Sequence, residues 1–182
     1  MTEDDSPTIQ RVVVASNISG TVLADYKTPG FSMPHEDQTL ASFFRSMMAM
    51  AKEFDNGELQ LVSFGSPSQP NVSPLINSSN STVQQPARST NLALFMDHDV
   101  IVGILYTVLG DDVLPSHREK LNKLTRKLYS GFAEDHLDFY LKEDVRKKLD
   151  YAFQHSVELP KALQDRFSSF SKKIPPILEA AA

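Results

Sequence analysis

The chain predicts an α+β fold built on one five-stranded antiparallel sheet flanked by helices, and three observations carry that prediction. The stretch Leu92 to Leu109, LALFMDHDVIVGILYTVL, is the most apolar part of the chain, and Asp97-His98-Asp99 splits it into two runs rich in Val, Ile, Leu, Phe and Tyr. Two such runs around a polar knot read as adjacent antiparallel strands joined by a tight turn. Three shorter runs upstream have the same strand character, and segments with helical apolar spacing lie between and after them. The predicted order is β-β-α-β-β-β-α-α with a C-terminal helical tail. The central runs barely alternate between apolar and polar, as strands covered on both faces do.

Residues 1–10 read as a short disordered arm, followed by a domain over 11–158 and a tail over 159–182. Arg11 to Asn17 (RVVVASN) and Thr21 to Lys27 (TVLADYK) form the first hairpin, with Gly20 between them to supply a positive φ. A helix follows over Asp37 to Asp55, with Leu40, Phe43, Phe44, Met47, Ala51 and Phe54 on one side. Its other side carries Ser42, Ser46, Ala49 and Glu53, which is little charge for a solvated face. Leu59 to Gly65 is the third strand. The run 66–90, dense in Ser, Asn, Pro and Gln, reads as a mobile insertion. Asn17, Asn71, Asn77 and Asn80 begin N-x-Ser/Thr matches, which loop-like composition produces by accident where no signal peptide precedes them.

After the central hairpin, Ser116 and Glu119 have capping-box spacing at the start of the second helix, whose buried stripe is Leu121, Leu124, Leu128 and Phe132. The third helix is expected over Asp138 to Val157, with Leu141, Val145, Leu149, Ala152 and Phe153 inward. Leu163, Phe167, Phe170 and Ile174 mark a short fourth helix, stopped by Pro175-Pro176. This tail either lies on a membrane or folds back on the domain, and folding back is expected.

Composition narrows the function. The chain has 182 residues, enough for a full core, and no cysteine, which excludes disulfides, thiolate metal sites and cysteine nucleophiles. The first residues are acidic and polar, unlike a secretory signal, and no apolar run is long enough for a membrane span, so a cytoplasmic protein is expected. The net charge is −5 but uneven: residues 1–115 hold 13 acidic and 5 basic residues, and residues 116–182 hold 10 acidic and 13 basic. Nucleic acid is therefore not an expected partner, and a basic face is confined to the second helix: Arg118, Lys120, Lys123, Arg126 and Lys127. That face is either solvated or meets an acidic protein or anionic membrane.

No catalytic motif is legible. Asp97-His98-Asp99 is the most site-like cluster, but adjacent strand residues point in opposite directions, so a polar turn is expected and not a metal site. The other histidines show no ligand spacing, and there is no G-x-S-x-G elbow. Neither a catalytic residue, a metal nor a cofactor is expected.

Over Arg11 to His136, the order of elements resembles the longin domains. These share the opening hairpin with its glycine (here Ser19-Gly20), then a helix, three strands and closing helices. The related roadblock domains begin with an additional helix, which residues 1–10 are too short and polar to form. The resemblance implies a non-enzymatic interaction module, a subunit acting in vesicle trafficking or small-GTPase regulation. Its implied partners are another longin- or roadblock-type subunit or a small GTPase, in a homo- or hetero-oligomer, with peripheral endomembrane contact open. The implied contact residues are Ser42, Phe43, Ser46, Met48, Ala49, Met50 and Glu53 of the 37–55 helix, together with exposed strand edges. The alternative is a profilin-like ligand-binding or sensory domain, with a pocket between sheet and helices.

Overall fold

A computed structural model describes residues 6–31, 59–64, 88–109 and 114–181. Their fold is α+β, and five strands make one antiparallel sheet. The strands are β1 (Thr8–Ser16), β2 (Val22–Lys27), β3 (Leu59–Phe64), β4 (Arg88–Asp97) and β5 (Val100–Leu109), lying side by side in the order β2-β1-β5-β4-β3. The central hairpin forms as its pattern predicts: Asp97 pairs with Val100, and His98 and Asp99 turn the chain at φ 46° and 63°. Two consecutive positive φ values match the mirrored turns that fit the twist of a hairpin. Gly20, at φ 68°, serves the β1–β2 turn.

Two strands start earlier than the pattern suggests. β1 begins at Thr8 because Thr8 and Ile9 pair with Thr107 and Tyr106 of β5. β4 begins at Arg88, so 88–90, expected to close the insertion, belong to the sheet. In both cases a neighbouring strand recruits residues with little strand signal of their own. The predicted 37–55 helix and residues 66–87 lie outside the described residues.

Helix α1 (Pro115–Phe132) buries the predicted Leu121, Leu124, Leu128 and Phe132. Its N-terminus is not closed by Ser116 and Glu119. The buried His117 reaches back instead, and its Nδ1 accepts from the Leu114 N–H at 3.3 Å, while Glu119 pairs with Lys123 at 2.7 Å. A five-residue π turn (Ala133–Leu137) leads into the single turn α2 (Asp138–Tyr140) and then α3 (Glu143–Gln154). The expected continuous 138–157 helix is therefore broken: Lys142 is extended at ψ 132°, and Leu141 and Phe153 are exposed, while Val145, Leu149 and Ala152 are buried.

Helix α4 (Lys161–Ser168), a 3-10 turn (Ser169–Lys172) and α5 (Ile174–Glu179) complete the chain. Pro175 and Pro176 do not stop a helix here. They occupy the first turn of α5, where a missing N–H costs nothing. The tail folds back: Phe167, Phe170 and Ile174 are fully buried in one cluster with Val12, Ile104 and Phe132. Each such aromatic contributes roughly 1.5–3 kcal/mol by burial. A second cluster, Val13, Ala15, Leu92, Leu94, Met96 and Ile101, is buried on the opposite face of the sheet. Both faces are thus apolar, which accounts for the weak alternation along β5.

Candidate functional site

The end of the sheet that carries the β4–β5 turn gathers the most side-chain chemistry. The Tyr140 hydroxyl donates to the Asp99 carbonyl at 2.9 Å, leaving its oxygen to accept from Ser16 Oγ at 2.8 Å. Asn17 N–H donates to the same Asp99 carbonyl at 2.7 Å, and Arg146 of α3 pairs with the Asp99 carboxylate at 3.0 Å. On the other side of the turn, the Tyr129 hydroxyl and His98 Nδ1 lie 2.9 Å apart, and His98 Nδ1 is 3.1 Å from Asp97 Oδ1. Burial, reinforced by the negative charge of Asp97, pushes the Tyr129 phenol up to about 12, and burial likewise raises Tyr140. Both tyrosines are therefore neutral hydrogen-bonding groups at ordinary pH.

Asp97, His98 and Asp99 do not converge. Asp97 and His98 engage α1 through Tyr129, and Asp99 engages α2 and α3 through Tyr140 and Arg146. Among the described residues no group of three histidines or carboxylates is placed to hold a metal ion. The cluster works as a clamp that ties three helical elements to one turn. Sequence reasoning found the turn but not Ser16, Tyr129, Tyr140 and Arg146. The available signal was a tyrosine beside each of two apolar helical positions, Tyr129 next to Leu128 and Tyr140 next to Leu141, since a buried tyrosine hydroxyl needs a partner.

The basic residues of α1, Arg118, Lys120, Lys123, Arg126 and Lys127, are all exposed. At the α-helical repeat they spread over roughly 200° of the helix and do not form one focus. Three of them are locally engaged. Lys123 pairs with Glu119, whose carboxyl it holds below its usual range, and Lys120 donates to Ser6 Oγ at 2.9 Å. Arg126 lies over the Phe95 ring at 5.2 Å and donates to Asn122 Oδ1 at 3.1 Å. Ser42, Phe43, Ser46, Met48, Ala49, Met50 and Glu53, the expected contact residues, lie outside the described residues.

The two sheet edges differ. Along β2 run α4 and the 3-10 turn, and the outward Asp25 N–H donates to Ser171 Oγ at 3.3 Å. That edge is closed by the chain's own tail. Among the described residues, β3 is paired on one side only, with β4. Its sequence, LQLVSF, has no charge, proline or glycine, the usual devices that blunt an edge. No helix among the described residues is long and apolar enough to cross a membrane. Comparison with protein families, curated proteins and solved structures finds no match for this chain.

Proposed function

We propose that the chain is a non-enzymatic interaction module of longin type, a cytoplasmic subunit acting in vesicle trafficking or small-GTPase regulation. It pairs with another longin- or roadblock-type subunit, or with a small GTPase, through the edge of β3 and the helix that the sequence predicts over 37–55. The observation that carries this reading is the asymmetry of the sheet among the described residues, with β2 closed by the tail and β3 neutral and paired on one side. Such an edge offers a row of backbone donors and acceptors to an incoming strand. Polar satisfaction at the clamp supports the same reading, because its tyrosines and Asp99 are spent on holding helices.

The experiment substitutes Gln60→Lys and Ser63→Lys together. Neither residue belongs to either core cluster, and lysines on an edge oppose strand addition. Association with the native partner, recovered by affinity purification from the source cell, falls at least about tenfold while the melting transition stays in place. Undiminished association would remove β3 from the interface. The second reading, a profilin-like ligand-binding or sensory domain, draws on Asn91 Oδ1 and the Tyr106 hydroxyl. Both are fully buried, without a partner, at paired positions of β4 and β5. Native mass spectrometry of the purified chain discriminates: a bound small molecule favours that reading, and the bare chain mass favours the first.

A further inference from the structure

Besides its apolar burial, the tail meets two adjacent residues of one turn that face opposite ways. Asp135 faces out and forms an ion pair with Lys173, at the entrance to α5. His136 faces in, 6% exposed, with its ring centroid 5.1 Å from Phe132, 6.0 Å from Phe167 and 6.2 Å from Phe170. Both sit in the π turn after α1, the kind of local widening that often marks a working site in a helix. His136 Nδ1 is buried and has no hydrogen-bond partner. Phe167 and Phe170 belong to the segment that closes the β2 edge through Ser171.

We propose that residues 161–181 form a detachable cover over the β2 edge and that His136 is its acid-sensitive pin. Neutral imidazole fits the aromatic cage. The imidazolium fits it less well, because a proton on Nδ1 meets no acceptor and the ring is packed among apolar aromatics. The charged groups around it come from three elements. Asp135 on its own turn favours the charged form, while Arg166 of α4 and Lys173 before α5 oppose it. Burial is the largest influence and, with the two cations, holds the His136 pKa below its ordinary value of 6.5. The sign follows from that direction. The docked tail binds the proton more weakly than the released tail, so docking is at full strength above about pH 6.5 and weakens as pH falls below it. Release uncovers the outward backbone of β2 and opens that edge of the sheet. This inference does not depend on the role proposed for β3.

Hydrogen exchange of the full chain, corrected for intrinsic rates, at about pH 7.5 and about pH 5.5 tests it. Protection of peptides from 22–27 and 161–181 falls together on acidification, by up to about tenfold per pH unit below the midpoint, while β4 and β5 keep theirs. His136→Phe fills the cage without a titratable group and holds protection at both pH values. Equal loss in His136→Phe, or unchanged protection of 161–181 in the wild type at the lower pH, overturns the proposal. Should His136→Phe fail to fold, an imidazole titration by NMR in the wild type decides. A pKa below the ordinary histidine value, with tail release beginning as pH falls under that value, supports the pin. A pKa at or above it with the tail still docked rules it out.

Discussion

Tyr106 and Asn91 face one another across β4 and β5, and each carries a buried polar atom with no partner. Asn91 Nδ2 is satisfied by Ser89, through the carbonyl at 3.1 Å and Oγ at 3.1 Å, which leaves Oδ1 stranded. Burial pushes the Tyr106 phenol up to about 12, so its hydroxyl stays protonated and unspent. Tyr106→Phe therefore leaves stability unchanged or raises it by up to about 1 kcal/mol, read by urea denaturation, because it removes a group whose desolvation nothing offsets. Tyr140→Phe has the opposite sign. Its hydroxyl bridges Ser16 and the Asp99 carbonyl, and its loss costs roughly 1–2 kcal/mol in the same measurement. Two buried tyrosines of one protein thus respond differently to the same substitution, and the hydrogen bonds decide which way.

Among elements, the packing of α5 against α1 turns on Gly131. A Cβ built there lies 3.1 Å from Ile177 Cδ1 and 3.4 Å from the Phe170 ring. Gly131→Val forces these side chains apart and costs roughly 1–3 kcal/mol, concentrated in the tail. Differential hydrogen exchange then shows faster exchange in 161–181 and little change in β4 and β5. The helical stripe of α1 was readable from spacing alone, since Leu121, Leu124, Leu128 and Phe132 repeat with the helix period and are all buried. The break at Leu141-Lys142 was not. The apolar spacing runs through it, and the residue before the break, Tyr140, is held at the β4–β5 turn by Ser16 and Asp99, partners far away in the sequence. The prolines at 175 and 176 misled for a related reason: proline ends one helix and opens another, and local sequence does not say which.

At the scale of the molecule, the closed β2 edge and, among the described residues, the one-sided pairing of β3 set the expected form of assembly. A sheet that can extend at one edge forms a closed pair and not a filament. At neutral pH, light scattering of the purified chain finds no species larger than a dimer formed through β3, and the Gln60→Lys, Ser63→Lys chain is monomeric. The charge distribution fits the division of the fold: the excess of basic residues falls in 116–182, which supplies α1 to α5, and the acidic excess in the residues before them.

The sequence alone determined the α+β class, the five strands, the central hairpin with its polar turn at Asp97-His98-Asp99, and the apolar stripe of α1. It could do so because strand and helix periodicity and turn chemistry are local properties of the chain. Only the tertiary structure decided which strand lies at each edge, that the tail closes β2, and that His136 enters a cage made with Phe167 and Phe170. Those facts join residues far apart along the chain, and no spacing of neighbours encodes a meeting that packing alone brings about.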